Sequence, residues 1–311
     1  MIDKLTAHWG FTRMPFDKDL APSMLHRHSS HAQAVARITW CIGERALGVI
    51  TGEVGAGKTV AVRASLSQLD HPRHKVIYLA NPAVGVAGIH HAIVASLGGV
   101  PRPHKSTLIP QATALLATEN NERGRVPILI IEEAHLLDHE QLEAIRMLTN
   151  DEMDSNSPLA CLLIGQPTLR HKIKLGVLAA LDQRIQVRYN MPSMTGEETS
   201  SYLVHHLALA GRSDTLFTDD AITLIHDTAR GFPRAVNNLA VQALLSAYAE
   251  GKPIEVIPVM WTHLTMDLVD PGRCRSLWHG PRSTVRSSGP TRSRCGGLRP
   301  AGGRSRTSRP I

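Results

Sequence analysis

Between Ala46 and about Asn190, short aliphatic and β-branched runs alternate with longer stretches whose apolar positions recur at helical spacing. The runs Ala46–Thr51, Lys75–Ala80, Val126–Ile131, Leu159–Ile164 and Ile185–Tyr189 predict five strands. Segments near Lys58–Leu69, Val86–Leu97, Thr107–Glu122 and Asp138–Asn150 predict the helices between them. Asp138 with Gln141 three residues on makes a capping box for the last of these helices. Asn81-Pro82, Gly98-Gly99 and Ser155-Asn-Ser-Pro158 punctuate the segments with turn chemistry. The fold class this pattern predicts is α/β, a three-layer αβα arrangement around a mostly parallel sheet covered on both faces.

After Pro192 the strand signals stop. Thr195 with Glu198 forms a second capping box, opening a helix that Gly211 closes. Thr218 caps a helix ending near Arg230-Gly231, and a third helix runs from about Pro233 to Ala249. Three short helices after an α/β region read as a small helical lid. The predicted organisation is an N-terminal segment over residues 1–45, an α/β core over 46–190 and a lid over 191–250. An extension over 251–270 and a tail over 271–311 follow.

Composition changes this picture mainly at the tail. The chain has 311 residues, 42% hydrophobic and 20% charged, which excludes wholesale disorder. Aromatics are only 4%, too few for base-stacking sheets of the RNA-binding kind. Four cysteines (Cys41, Cys161, Cys274 and Cys295) stand far apart without a CxxC pair, which fits a reducing setting. The formal charge of +7 suggests a nucleic-acid binder until the charges are located. Ten of the 34 basic residues and none of the 27 acidic ones fall in residues 271–311, so residues 1–270 carry a net −3. Arg, Gly, Ser and Pro dominate that tail, a composition that predicts disorder. Two readings of it stand side by side, a basic arm for nucleic acid and a non-native extension such as a shifted reading frame would add. The amino terminus leads to no apolar signal region, and the apolar run at Val126–Ile131 is far too short for a membrane span. The expectation is a soluble, cytoplasmic protein with no membrane partner.

The strongest chemical signal lies after the first strand. Gly52-Glu53-Val54-Gly55-Ala56-Gly57-Lys58-Thr59, leading into Val60, matches G-x-x-x-x-G-K-T between a predicted strand and helix. Its glycines let successive backbone N–H groups turn around a β-phosphate. Lys58 places a point charge on the β/γ oxygens, and Thr59 offers a hydroxyl to Mg²⁺ at the helix amino terminus. ATP with Mg²⁺ is the implied ligand. The strand Val126–Ile131 delivers Glu132 and Glu133 to its carboxyl end, where ligands of open α/β sheets gather. Glu132 is assigned to the Mg²⁺ shell and Glu133 to the general base that takes a proton from the attacking water.

Three further residues are candidates. Gln166 either bonds the attacking water or γ-phosphate, or caps a loop. Arg184 acts as an arginine finger on a neighbouring subunit's ATP, or joins a structural ion pair. Arg234, at a helix start in the lid, reaches towards the γ-phosphate. The pairs His90-His91 and His205-His206 are poor metal chelates, because adjacent helical residues face different ways. Cys41 and Cys161 read as packed core thiols.

With these residues in place, the chain resembles a P-loop ATPase of the AAA+ superfamily, and more narrowly the ExeA/TniB group, related to the transposition ATPases MuB and TnsC. The resemblance covers about residues 5–250. It rests on Gly10-Phe11 with Pro15-Phe16, the P-loop, Ile130-Ile-Glu-Glu-Ala-His-Leu-Leu137, Leu163-Ile-Gly-Gln-Pro167, Leu181-Asp-Gln-Arg-Ile185, Leu216-Phe-Thr and Gly231-Phe-Pro-Arg-Ala-Val-Asn237. It implies a slow, regulatory ATPase and an adenine pocket walled by the segment around Phe16 and His28. It also implies an ATP-dependent homo-oligomer that binds duplex DNA non-specifically and activates or directs a transposase. Candidate contacts to DNA are Arg102/His104/Lys105 and Arg170/His171/Lys172/Lys174, although each group taken alone reads more readily as a solvated basic loop. The second service the group offers is ExeA-like assembly of a secretion or envelope machine. One departure is the Glu132 that stands where the group usually has Asp. The extra methylene moves the charge by about 1.5 Å, which predicts weaker metal positioning with ATP binding intact.

Overall fold

The computed structural model of the chain describes residues 2–17, 19–150, 157–249 and 251. The tail, nearly all of the extension, and the first half of the Ser155–Pro158 turn lie outside the described residues.

Five strands form one all-parallel sheet: β1 (Leu47–Gly52), β2 (His74–Leu79), β3 (Val126–Ile131), β4 (Ala160–Gly165) and β5 (Ile185–Met191). Their order is β2-β3-β4-β1-β5. Each lies within a residue or two of its sequence expectation. β1 and β4 are buried throughout and β3 almost so, which explains their unbroken apolar sequences.

Alternate side chains of these strands feed two cores. Leu47, Val49, Leu129, Ile131, Cys161 and Leu163 pack under α4 (Gly85–Ser96), α5 (Lys105–Asn121), α6 (His139–Leu148), α7 (Thr168–Ile173) and α8 (Ala179–Arg184). Ile50, Ile128, Ile130, Leu162 and Ile164 pack under α2 (Ser29–Gly43) and α3 (Lys58–Leu66). Cys41 and Cys161 are fully buried here, and burial pushes the Cys41 thiol up to about 12. The capping box of α6 is complete: Asp138 accepts from the Gln141 N–H at 2.7 Å, and Gln141 accepts from the Asp138 N–H at 2.9 Å.

The lid consists of α9 (Gly196–Leu209), α10 (Asp219–Ala229) and α11 (Pro233–Ala249), at the expected places. Its core is Leu203, Leu207, Phe217, Ile225, Val236 and Leu239, and the amino terminus joins it. Leu5 and Trp9 of α1 (Ile2–Trp9), with Phe11 and Phe16, are buried in the same cluster. Among the described residues, no helix is long and apolar enough to cross a membrane.

Glu198 fastens the lid to the helix that covers the sheet. One carboxylate oxygen accepts from the Thr195 N–H at 3.0 Å, completing the α9 capping box, and the other accepts from the Ser29 N–H at 2.9 Å at the start of α2. Partial burial opposes the charge, but these two N–H groups and the neighbouring His28 and His26 hold the carboxyl below its ordinary range. A carboxyl whose folded pKa is depressed stabilises the fold above the ordinary carboxyl range, and that contribution fades as pH falls through the folded value. Glu198→Ala is expected to cost about 1 kcal/mol at neutral pH, held to that size by solvent screening. In urea unfolding the difference from wild type should shrink on acidification; a gap that is absent at neutral pH, or that widens in acid, contradicts the assignment.

Candidate nucleotide-binding site

The site forms where β1, β3 and β4 end on one edge of the sheet. β1 runs into the glycine loop, in which Gly55 (φ +83°) and Gly57 (φ +93°) adopt left-handed backbone. Gly57 is the residue before α3, so the loop delivers its N–H groups and the positive end of that helix to one point. Ala56 is buried, whereas Glu53, Val54 and Thr59 are exposed and Val60 half-buried on the first turn of α3. The Lys58 ammonium folds back over the loop, donating to the carbonyl oxygens of Gly52 at 2.7 Å and Glu53 at 2.9 Å. Burial pulls the Lys58 pKa down; Glu133, Glu132 and Glu53 resist this, and Arg234 adds to it.

Glu132 follows β3 directly and donates its backbone N–H to Leu79 O at 3.0 Å, extending the β2–β3 ladder. Glu132 is only 6% exposed, and its Oε1 has no hydrogen-bond partner. Burial drives the carboxyl's pKa up and the adjacent Glu133 adds to this, while the Thr59 hydroxyl, within hydrogen-bonding reach, and Lys58 pull it back. A buried carboxylate with an unpartnered oxygen beside a threonine hydroxyl fits a hard, oxygen-seeking divalent cation such as Mg²⁺.

Glu133 differs from its neighbour in exposure and in backbone. Its side chain is half exposed, with Oε2 3.4 Å from His135 Nδ1. Its φ of 50° and ψ of 33° are left-handed, a conformation that costs a non-glycine residue about 1–2 kcal/mol. A 3-10 turn, Ala134–Leu136, begins immediately after it. Glu133 therefore leaves the strand at a sharp corner.

The remaining candidates divide. Gln166 comes directly after β4, which lies between β1 and β3, so it stands between the glycine loop and the carboxylate pair. Arg234, at the start of α11, donates its backbone N–H to Gly55 O at 3.3 Å. A Cβ at Gly55 would lie 2.8 Å from the Arg234 Cβ, so the lid rests directly on the glycine loop. Arg184 is engaged elsewhere: Nε donates to Thr149 Oγ1 at 2.9 Å and Nη2 to the Thr149 carbonyl, closing the carboxyl end of α6. Phe16 is buried in the lid core, stacked on His206 with ring centroids 5.3 Å apart. His28 is buried at the start of α2, bonded through Nδ1 to Ser30 Oγ at 3.0 Å; burial, with His31 beside it, brings its pKa down to about 4.

Two of the basic residues expected to face DNA are occupied within the chain. Lys105 pairs with Glu140 at 2.5 Å. Lys172 turns inward onto the carbonyls of His135 and Leu137. That lysine, within a run of basic residues that reads as a surface patch, ends on the turn that follows Glu133.

The unpaired Glu132 oxygen has a thermodynamic consequence. A carboxyl whose folded pKa is raised disfavours the fold once it is charged, so acidification favours the ligand-free fold through this group while removing its capacity to hold a cation. Glu132→Gln should therefore melt no lower than wild type without ligand at neutral pH, and Mg²⁺ should lose its effect on ATP binding. A Gln variant that melts clearly lower would mean that the carboxylate is already well paired.

Comparison with known proteins agrees with this geometry. Residues 42–173 match the AAA domain family. Over 260 residues the chain is 29% identical to General secretion pathway protein A of Aeromonas hydrophila, an overlap of 79% of this chain and 45% of that protein, so the chain spans less than half the relative's length. Among solved structures it resembles Cdc6p from Pyrobaculum aerophilum, with a TM-score of 0.59 and 17% identity over 76% of this chain and 66% of that one. It also resembles the Aeropyrum pernix ORC1 protein solved in complex with DNA, with a TM-score of 0.57 and 14% identity over 76% of this chain and 64% of that one. The stretch that holds the glycine loop and both carboxylates thus matches the AAA domain family and lies in an AAA+ fold.

Proposed function

We propose that the protein binds Mg²⁺–ATP between the glycine loop and the lid, hydrolyses it slowly, and uses the cycle to drive assembly of a secretion or envelope machine. The observation that carries the catalytic part is the convergence of Lys58, Thr59, Glu132 and Glu133 at the strand ends, with the lid's Arg234 resting on the same loop. In this reading the ammonium of Lys58 exchanges the carbonyls of Gly52 and Glu53 for β- and γ-phosphate oxygens. Thr59 and Glu132 hold the Mg²⁺, which neutralises phosphate charge when bound. Glu133 accepts the proton of the attacking water, and Gln166 orients that water. Arg234 senses the γ-phosphate and passes its loss to the lid. Phe16 and His28 belong to the strap beside which the adenine ring lies.

The service to a secretion or envelope machine is supported by the likeness to General secretion pathway protein A. The transposase and target-DNA partners of the other reading find no support in these likenesses, since a fold shared at 14–17% identity carries no ligand with it. A homo-oligomer remains part of the proposal. If Arg184 serves a neighbour's ATP, it must first give up its bonds to Thr149.

Calorimetry should detect ATP binding to the wild type and none to Lys58→Ala. Glu133→Gln should keep the affinity and lose roughly two to four orders of magnitude in hydrolysis. An unchanged rate in that variant removes Glu133 from the role of base. The proposed service predicts ATP-dependent co-purification with envelope partners. Duplex DNA retained on ATP and released on ADP would instead restore the transposition reading.

A further inference from the structure

The corner that carries Glu133 is fastened from a neighbouring element. The 3-10 turn Ala134–Leu136 is too short to satisfy its own end carbonyls. Lys172, on α7, donates to two carbonyls of this region, His135 O at 2.7 Å and Leu137 O at 2.6 Å. Ala134 and Leu137 are fully buried. On the other side the turn lies against the end of β4, where a Cβ at Gly165 would stand 3.1 Å from the His135 backbone nitrogen. Glu133 is the first residue of this clamped unit, and its left-handed backbone persists only where the surroundings impose it.

The orientation of Lys172 distinguishes it from the other cations of its helix. Arg170, His171 and Lys174 are exposed, whereas Lys172 is half-buried with its amine on the two carbonyls. A charge-assisted bond to each carbonyl makes this stronger than a neutral cap would be. α7 also begins two residues after Gln166. The amine thus links the segment that follows one candidate water-orienting residue to the turn that follows the candidate base.

We propose that Lys172 is a positioning residue for ATP hydrolysis: by holding the carbonyls of His135 and Leu137 it fixes the direction in which the Glu133 carboxylate points. The proposal rests on the reading of Glu133 as general base. Lys172 acts through the turn rather than on the nucleotide, so its loss acts on the chemical step and leaves ATP affinity alone.

Lys172→Met keeps the aliphatic stem and removes the donors. It should lower kcat by roughly ten- to a hundredfold, the effect of a small misplacement of a reacting group, and leave the calorimetric ATP affinity unchanged. Amide hydrogen exchange across residues 133–137 should quicken while exchange in the glycine loop stays the same. Lys172→Arg, which retains N–H donors, should recover most of the rate. A methionine variant with wild-type turnover overturns the proposal, as does unchanged exchange at 133–137, or a rate loss matched by lost ATP affinity. Should that variant fail to fold, Lys172→Gln takes its place with the same readouts, and if wild-type turnover is too slow to follow, the exchange comparison decides. Glu133→Gln measured in parallel separates the two ideas: normal hydrolysis there sinks the base assignment, whereas a dead Gln variant beside a fully active Lys172→Met sinks only the role of Lys172.

Discussion

A carboxylate kept dry and only partly paired is the constraint around which the rest of this molecule is arranged. Glu132 sits at the end of an almost fully buried strand, with one oxygen lacking a partner. Burial of an ion without compensation is expensive, and in such a place the group either takes up a proton or recruits a cation. The Thr59 hydroxyl and the Lys58 ammonium stand nearby, and neither removes the deficit. The backbone creates the situation: β3 is covered on both faces, so its last carboxyl emerges from the sheet with little water around it. An apolar sheet is therefore what makes the polar site reactive.

The same economy of position extends outward. Because β4 lies between β1 and β3, whatever follows it must pass between the glycine loop and the carboxylates. Gln166 occupies that position, and α7 then sends Lys172 back to the turn beyond Glu133. The lid reaches the site by a different path, its α11 resting on Gly55. The lid's own core incorporates α1 and Phe16, so the first part of the amino-terminal segment packs with the lid, whereas α2 packs on the sheet. Glu198 then ties the lid to α2, which covers the sheet.

Most of the core was legible in the sequence because burial on both faces forces continuous apolar strands, and a glycine loop between strand and helix has few other uses. Capping boxes at Asp138 and Thr195 marked helix starts to the residue. What escaped was helical structure without such marks. α2 begins at His28 without a side-chain cap, although Ala34, Ile38, Cys41 and Ile42 recur on one face. α7 and α8 are six residues each, too short for a period to declare itself. Side-chain destinations were the least legible of all. Lys105, Lys172 and Arg184 read as surface or intersubunit cations, yet each ends on an acceptor of its own chain, at Glu140, at the His135 and Leu137 carbonyls, and at Thr149. Sequence reports the charge, while the nearest unsatisfied acceptor decides its use.

That principle bears on the one residue that departs from the expected motif. A glutamate where the family resemblance leads one to expect aspartate reaches about 1.5 Å further along its side chain. In a loose environment that would move the charge off the metal position. Here the strand end fixes the backbone through the Glu132 N–H on Leu79 O, and the carboxylate still lies within reach of Thr59. The unpartnered oxygen remains buried rather than turning to solvent. The glutamate thus keeps its carboxylate beside the Thr59 hydroxyl, buried at the strand end.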